Sequence, residues 1–336
     1  MGVTIKDIAK KAGVSYATVS RALNNHPDVN QNTRKEIVAL AKKMNYQPNA
    51  IARSLINKKT DTIGLLIPDI TNPFYPEVAR GVEETAVEKN YTIFLCNTNW
   101  NMKREEHYIN ALLQKQIDGL IMTPSTEELE YLETLINSNL KTVFISSYID
   151  HPDYISIIVD NIKGAKEAAN HLIKNGHKNI GFIGAGENRF ANQQRLYGYK
   201  QALIENNIAV KEKYIKNEGN RYNIKDGYKL MKNLLESQIK NPSAIICYND
   251  LYALGAIQVI KEKKIRIPED IEVIGFDDIS FASLSEIQLS TIAQPKYKMG
   301  KIAFETLLKI MSGDFQKSKS NRIVLEPELI IRETSR

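Results

Sequence analysis

The chain has 336 residues, which is enough for two or three domains and a sizeable buried core. It is 43% hydrophobic and 25% charged, and no apolar run approaches the roughly 18 residues of a membrane-spanning helix. The two cysteines, Cys96 and Cys247, cannot build a disulfide framework or a cysteine-based zinc site. The start MGVTIKDIAKKAG also lacks the apolar centre of a signal peptide. We therefore exclude secreted, fibrous, disordered and membrane classes and expect a cytoplasmic protein.

The basic charge is concentrated at the start of the chain. The whole sequence carries 45 Lys and Arg against 39 Asp and Glu. Residues 1–60 hold 11 of the basic and 3 of the acidic residues, which leaves 34 basic and 36 acidic residues in 61–336. A small basic module on a near-neutral body favours a polyanion that the module alone contacts, although a solvated basic helix would have the same composition.

Three short helices are predicted in the basic segment. Thr4 opens a capping box for the first helix, and Gly13 supplies the left-handed turn that ends it. Ser15 is expected to cap a second helix over 16–24, and a capping box at Thr33 to begin a third. The apolar positions recur on one face of each helix and predict a shared core of Ile5, Ile8, Ala9, Ala12, Val19, Ala22, Leu23, Ile37, Leu40, Ala41 and Met44.

This spacing is typical of a helix-turn-helix. That motif needs a small residue where its helices cross, a glycine at the turn and an aliphatic residue on the second helix, roles that fit Ala9, Gly13 and Val19. The second helix then turns polar and small side chains outward, and Arg21 suits a bidentate contact with guanine. Hydroxyls such as that of Ser15 could fix the register on phosphates. The alternative is a helix face that is merely solvated.

From residue 61 onward, apolar runs of strand length alternate with helical patterns. Runs such as IGLLIPD and IGFIGA are nearly all apolar, as in strands buried on both faces. This alternation implies right-handed crossovers and parallel sheets, and the number of strands fits two doubly wound sheets better than one. The fold class is therefore α/β, with an all-α module in front. The predicted strands are 62–68, 91–97, 118–123, 142–146, 156–160, 179–185, 244–248 and 272–276.

A ligand cleft is predicted at the carboxyl ends of these strands, where open α/β sheets bind small molecules. Polar and aromatic residues stand at those ends, and Arg189 and Arg195 flank a further loop. Aromatic faces and paired hydrogen-bonding groups suit a polyhydroxylated ring. The residues at strand ends and turns are Asn72, Phe74, Tyr75, Tyr222, Asn249, Asp277 and Gln294.

The stretch VTIKDIAKKAGVSYATVSRALN closely resembles the N-terminal signature of the lac repressor family of bacterial transcription regulators. The likeness continues through NTRKEIVALAKKMNYQPNAIARSL and over essentially the whole chain. It implies a homodimer that places two recognition helices in successive major grooves of a pseudo-palindromic operator. The residues that it marks as base contacts are Tyr16, Ala17 and Arg21. Those that it marks as DNA-backbone contacts are Thr4, Ser15, Thr18, Ser20 and Asn24.

The resemblance also implies a hinge between the module and the body. Residues 49–56 are expected to form a short helix only on the operator, with Leu55 wedged into the minor groove. The body is expected to have the two lobes of a periplasmic sugar-binding protein, with the ligand between them. The implied parts are a helix-turn-helix domain 1–48, a hinge and linker 49–60, an N-terminal lobe 61–160 with 294–320, and a C-terminal lobe 161–293 with 321–336.

Within the body, NPFY, QQRLYGY, CYNDLYALG, GFDD and TIAQ look similar to stretches of ribose-binding and ribose-regulator proteins, which marks the same cleft residues as effector contacts. One departure is Ser146 with Ser147, where ribose binders carry an Asp-Arg pair, and this puts ribose itself in doubt. Arg189 adds a second guanidinium near Arg195, which could match a carboxylate or phosphate. An acidic sugar therefore stays open, as does a purine, because purine repressors place an Arg similarly.

Other functions have weaker support. Catabolite control proteins are co-repressed by a serine-phosphorylated carrier protein, but Glu305 stands where they bind phosphate with Arg, and Glu repels phosphate. GFIGAG lacks the GxGxxG spacing and the five histidines lack metal-ligand spacing, so we expect no enzyme, cofactor or metal. A stand-alone sugar-binding protein would lack the first 60 residues.

The sequence therefore predicts a ligand-responsive DNA-binding regulator, with repression as its expected action. The effector is expected to be a small sugar or sugar acid, and the target a carbohydrate-utilisation operon. A dimer is expected because no leucine heptads for tetramer formation follow Arg332. Induction and co-repression use the same parts, so both stay open.

Overall fold

The computed structural model describes residues 3–46, 59–186, 189–218, 222–237, 241–316 and 321–336. Contacts divide the chain into a first unit, Met1–Thr60, and a second unit, Asp61–Arg336. The predicted hinge helix over 49–56, including Leu55, lies outside the described residues. Within the part of the chain that is described, every helix is too short or too polar to span a membrane.

The first unit is built from three helices: α1 (Ile5–Ala12), α2 (Tyr16–Leu23) and α3 (Gln31–Lys43). Gly13 ends α1 with a φ of 67°, a left-handed conformation that residues with a Cβ atom resist. The core contains Ile8, Val19 and Ile37, each almost completely buried, so the three helices share one apolar centre as predicted.

The predicted start of α3 is wrong. The helix begins at Gln31 rather than after Thr33, because the Asn30 side chain caps it three residues earlier than expected. Asn30 Oδ1 accepts a hydrogen bond of 2.8 Å from Asn32 N, one of the N–H groups that has no partner inside the helix.

The second unit contains two six-stranded sheets, which define its two lobes. The strands of the first sheet are β1 (Thr62–Ile67), β2 (Thr92–Asn97), β3 (Gly119–Met122), β4 (Thr142–Ile145), β5 (Ile155–Val159) and β11 (Arg322–Leu325). All its pairings are parallel, in the order β11-β5-β4-β3-β1-β2. The helices of this first lobe are α4 (Phe74–Glu88), α5 (Met102–Gln114), α6 (Glu133–Ser138) and α11 (Lys296–Ser312).

The second sheet has the same plan with one antiparallel edge. Its strands are β6 (Ile180–Ile183), β7 (Ile215–Lys216), β8 (Ala244–Cys247), β9 (Glu272–Asp277), β10 (Ser290–Ala293) and β12 (Glu328–Ile330). The order is β12-β10-β9-β8-β6-β7, and β12 runs antiparallel to β10. The helices of this second lobe are α7 (Asn161–Lys174), α8 (Phe190–Glu205), α9 (Ile224–Glu236) and α10 (Asp250–Glu262).

The predicted lobe boundary between 320 and 321 is wrong. Strand β11 pairs with β5, from Arg322 opposite Ser156 to Leu325 opposite Val159, so it completes the first sheet. The chain enters the second sheet again only at β12. Strands β7, β11 and β12 were not predicted because they are short edge strands with exposed or half-exposed residues, which interrupts the apolar run that marks a central strand.

Two glycines bring α4 into direct backbone contact with α11. A Cβ atom on Gly81 would lie 2.1 Å from Tyr297 O, and one on Gly300 would lie 2.1 Å from Val78 O. Such distances leave no room for a methyl group on either helix. The close approach therefore fixes α4, whose first turn follows β1 at the carboxyl edge of the sheet.

Gly81→Ala is expected to lower the free energy of unfolding by about 1–3 kcal/mol, because the added methyl group forces the two helices apart. Urea unfolding followed by circular dichroism measures the change. Glu83→Ala is the matched control, since Glu83 is exposed on the same helix and should change the free energy by less than about 0.5 kcal/mol. A Gly81→Ala protein as stable as the wild type would contradict this helix contact.

Candidate DNA interface and effector cleft

Helix α2 divides its residues between core and solvent. Val19 and Ala22 are fully buried, whereas the Tyr16 side chain is 64% exposed. Ala17 and Arg21 are exposed as well. The three residues predicted to contact bases therefore share the accessible side of a helix that is anchored by its opposite side.

The predicted DNA-backbone residues lie at the helix ends. Asp7 Oδ2 accepts hydrogen bonds from Thr4 Oγ1 at 2.7 Å and from Thr4 N at 2.9 Å, and these bonds lower the pKa of Asp7. Ser15 Oγ accepts a hydrogen bond of 3.1 Å from Thr18 N and lies 2.9 Å from Thr18 Oγ1. These side chains fix the starts of α1 and α2. The other two, Ser20 and Asn24, lie on the last turn of α2 and at its end.

The second unit has a cavity at the carboxyl ends of its sheets. All ten residues predicted for the effector line this cavity. They are Asn72, Phe74, Tyr75, Ser146, Arg189, Arg195, Tyr222, Asn249, Asp277 and Gln294. The cavity is also lined by residues that were not predicted: Trp100, Thr123, Glu127, Ser147, Ala191 and Tyr248.

A buried ion pair stands in the wall of the cavity. Arg195 Nη1 lies 3.9 Å from Asp277 Oδ1, and both side chains are less than one tenth exposed. Arg195 Nε donates to Asn161 Oδ1 at 2.8 Å, and Gln294 Nε2 donates to Asp277 Oδ1 at 2.6 Å. Burial lowers the pKa of Arg195. Burial also raises the pKa of Asp277 to about 6, although the charges of Arg195 and Lys296 and the Gln294 hydrogen bond oppose the rise.

Three polar atoms of the cavity have no hydrogen-bond partner within the described residues: Arg195 Nη2, Asp277 Oδ2 and Ser146 Oγ. The Ser146 hydroxyl oxygen is itself completely buried. Because buried polar atoms in folded proteins nearly always have a partner, the buried Ser146 hydroxyl favours a ligand, and Arg195 Nη2 and Asp277 Oδ2 offer further hydrogen bonds in the same cavity. Together they offer a ligand one cationic donor, one anionic acceptor and one hydroxyl group.

Arg189 lies in the cavity, but its guanidinium is already engaged. Nε donates to Tyr222 Oη at 3.0 Å, Nη1 to Pro124 O at 3.1 Å and Nη2 to Ser125 O at 2.7 Å. The prediction that it stands beside Arg195 as a free partner for an anion does not fit these contacts, because each nitrogen atom already faces a neutral oxygen.

Sequence reasoning missed cavity residues for two reasons. Tyr248 directly follows β8, so the strand-end rule would have found it had it been applied to every residue at that end. Trp100 and Glu127 lie further along the loops that follow β2 and β3, where the rule gives no position. Trp100 still carried one signal, because it is the one tryptophan of the chain.

A basic helix-turn-helix unit and a two-lobed body with a cleft define the class of ligand-binding transcription regulators. Residues 4–49 match the family described as "Bacterial regulatory proteins, lacI family". Residues 60–331 match "Periplasmic binding proteins and sugar binding domain of LacI family". The chain therefore belongs to the lacI family, and the predicted family and fold class are confirmed.

Relatives are similar over most or all of their length. The chain is 37% identical to "HTH-type transcriptional regulator RegA" of Clostridium saccharobutylicum over 336 residues, which is 100% of both chains. It is 39% identical to "Catabolite control protein A" of Priestia megaterium over 315 residues, 94% of each chain. The structure of the lac repressor dimer bound to operator and the anti-inducer ONPF has a TM-score of 0.87 and 26% identity, and 99% of each chain is covered. The chain is thus a DNA-binding transcription regulator with a sugar-binding-type effector domain, and its relatives are named as regulators rather than enzymes.

Arg21→Ala is expected to cost about 1–3 kcal/mol of discrimination between operator and unrelated DNA, because a guanidinium contact with a base edge is lost. The operator is first selected from a random duplex pool with the wild-type protein, and affinities are then measured by fluorescence anisotropy. Lys35→Ala, at an exposed position of α3, is the control and should affect both duplexes alike. Unchanged selectivity in Arg21→Ala would contradict the recognition-helix assignment.

Asp277 predicts a pH dependence of stability. Its pKa is about 6 in the folded chain against an ordinary value of 3.8, so the folded chain binds more protons between these values and loses stability as the pH rises through them. Asp277→Asn lacks this titration. Its free energy of unfolding, minus that of the wild type, should therefore rise by about 2–3 kcal/mol between roughly pH 4 and pH 7.

Urea unfolding of both proteins across this pH range measures that difference, and titrations of other groups cancel in it to first order. Asp250 is the exception, because its carboxylate is coupled electrostatically to Asp277. A second comparison, of Asp278→Asn with the wild type, controls for substitutions in the same loop. A pH-independent difference for Asp277→Asn would show that the carboxylate is not held in a desolvated site.

Proposed function

We propose that this regulator binds a small, uncharged, polyhydroxylated ligand such as a sugar between its lobes, and that the ligand changes its affinity for operator DNA. The observation that carries the proposal is the set of unpartnered cavity atoms, Arg195 Nη2, Asp277 Oδ2 and Ser146 Oγ. Hydroxyl groups both donate and accept, so a sugar ring can satisfy all three atoms. The aromatic rings of Phe74 and Tyr75 in the same wall would pack on its CH faces.

The charge balance of the cavity favours a neutral ligand over a sugar acid or a sugar phosphate. Arg195 faces Asp277 at 3.9 Å, and Arg189 and Glu127 attract each other electrostatically. Two cations therefore stand against two carboxylates. An anionic ligand would have to compete with Asp277 for Arg195, and the carboxylates of Asp277 and Glu127 that line the cavity would oppose it.

For DNA binding, we propose that Tyr16, Ala17 and Arg21, on the exposed side of α2, contact bases. The backbone contacts proposed are Thr4, Ser15, Thr18, Ser20 and Asn24. The hinge helix over 49–56 with Leu55 in the minor groove remains part of the proposal. The protein would act in the cytoplasm, as a repressor of a carbohydrate-utilisation operon.

We further propose that the regulator acts as a homodimer in which the β2 edge of the first sheet contributes to the contact. Phe94 and Leu95 on this strand are 41% and 45% exposed. Ile70, whose N–H donates to Asn97 at the end of the same strand, is 47% exposed. An edge strand with exposed apolar residues is a surface that another chain covers in many proteins. A pseudo-palindromic operator requires such a two-fold partner.

Thermal unfolding of the wild type in the presence of single compounds tests the effector class without knowledge of the operator. The panel contains ribose and other neutral sugars, sugar acids, sugar phosphates and purines. A ligand at about 100 times its Kd stabilises the folded chain by about 2.7 kcal/mol, so a rise in melting temperature is expected with a neutral sugar.

Asp277→Ala should lose that rise, whereas Asp278→Ala should keep it. Asp278 is the matched control because its carboxylate pairs with Arg332 rather than lining the cavity. A rise with a sugar acid, a sugar phosphate or a purine alone would contradict the neutral-ligand proposal. An equal rise in both variants would contradict the placement of the site.

A further inference from the structure

The two lobes meet at the cavity through side chains that contact each other. The first lobe contributes Trp100 after β2 and Glu127 after β3. The second contributes Arg189, which caps α8, and Tyr222, which precedes α9. We refer to these four residues as the interlobe clasp.

Arg189 joins the lobes by hydrogen bonds. Its Nη1 and Nη2 donate across the cleft to the backbone oxygens of Pro124 and Ser125, at 3.1 and 2.7 Å, while Nε donates within its own lobe to Tyr222. Arg189, Pro124 and Ser125 are all buried. Separating the lobes would therefore leave these groups without protein partners, and only entering water could replace them.

Glu105 stabilises the loop segment that accepts the hydrogen bonds of Arg189. Its Oε2 accepts a hydrogen bond of 2.7 Å from Ser125 N, although the side chain is almost completely buried. This bond fixes the peptide whose carbonyl oxygen accepts from Arg189.

Aromatic stacking joins the lobes a second time. The Arg189 guanidinium carbon lies 4.3 Å from the centre of the Trp100 ring and 5.1 Å from that of Tyr222. The two rings are themselves 4.5 Å apart, one from each lobe. A cation packed on aromatic faces is attracted more strongly when water is excluded, as it is around this buried guanidinium.

Glu127 makes a third connection. Its Oε2 accepts a hydrogen bond of 2.8 Å from Phe190 N, the first N–H of α8 in the other lobe. Burial raises the pKa of Glu127, while the Phe190 hydrogen bond and the charge of Arg189 oppose the rise. A carboxylate at a helix N-terminus is also favoured by the helix dipole.

The backbone at Trp100 has an unfavourable conformation. Asn99 and Trp100 have φ values of 53° and 54°, so two successive residues occupy the left-handed region. A bulky residue rarely adopts this conformation unless surrounding contacts enforce it. Here Trp100 contacts Arg189 and Tyr222 in the opposite lobe, and Tyr75 and the apolar core of its own lobe as well.

From these three connections we propose that the interlobe clasp holds the cleft closed in the absence of a ligand, so that the closed form is the resting state of this regulator. The contacts at this point join side chains and backbone atoms of the two lobes directly, so they can form without a bridging molecule. A ligand must then enter through a minor open form, and its apparent affinity is reduced by the fraction of molecules that are open. The inference does not depend on which compound is the effector.

Hydrogen exchange of the Phe190 amide in the full-length, ligand-free protein tests the clasp. This N–H bonds to Glu127 across the cleft, so it should exchange only when the lobes part. Trp100→Ala removes stacking from the first lobe, on a loop that does not carry Glu127. It should speed Phe190 exchange by roughly tenfold, because it shifts the opening equilibrium by about that factor. Arg189→Lys keeps the charge but loses the planar fork, and should act in the same direction.

Arg80→Lys is the matched control. Arg80 also packs on an aromatic ring, 5.3 Å from the centre of Tyr297, but both residues belong to the first lobe. Phe190 exchange should be unchanged in this variant. The proposal would be overturned if the wild-type Phe190 amide exchanged at the rate of an unprotected amide. It would also be overturned if Trp100→Ala left the exchange rate unchanged, since the stacking would then not hold the lobes together.

Discussion

The buried pair of Arg195 and Asp277 is the interaction on which the effector cleft depends. The two charges come from helix α8 and from the end of β9, and Asn161 and Gln294 bring in the start of α7 and the loop after β10. Taking both charges out of water is unfavourable, and their mutual attraction repays this only with further hydrogen bonds. One atom of each group has no hydrogen-bond partner within the described residues, so a ligand that bonds to both atoms would add to the stabilisation of the pair.

The loop that carries Asp277 is itself held by a second buried carboxylate. Asp277 and Asp278 have φ values of 118° and 51°, both in the region that favours glycine. Asp250 Oδ2 accepts a hydrogen bond of 2.8 Å from Ile279 N, and its Oδ1 accepts one of 2.5 Å from Thr291. A Cβ atom on Gly275 would lie 2.1 Å from Asp250 Oδ1, so a side chain here would displace the Asp250 carboxylate. Strain and buried charge therefore concentrate where the ligand is expected, at the expense of stability.

The strand-end rule predicted the composition of the cavity well, for a clear physical reason. Parallel strands bring their carboxyl ends to one edge of a sheet, so Asn72, Asn249 and Asp277 meet although they are far apart in sequence. The rule does not show which groups each side chain contacts inside the cavity. Arg189 was interpreted as a partner for an anion, yet its donors face Pro124 O and Ser125 O of the other lobe.

Fold prediction had a similar limit. Central strands such as β1 and β9 are continuous apolar runs and were predicted, whereas the edge strand β11 was placed in the wrong lobe. The place of β11 in the first sheet depends on its pairing with β5, a long-range contact that no local sequence pattern encodes. The start of α3 was displaced because Asn30 and Thr33 are both good capping residues, and only the geometry decides between them.

The central proposal is that a ligand in the cleft alters operator affinity through the Arg195–Asp277 pair. The most direct measurement is the operator Kd of the wild type and of Asp277→Ala, each with and without the compound that stabilises the wild type. We predict that the compound changes the wild-type Kd by about 5- to 150-fold in one direction, and leaves that of Asp277→Ala unchanged. A wild-type Kd that does not respond, or an Asp277→Ala protein that responds as the wild type does, would contradict the account.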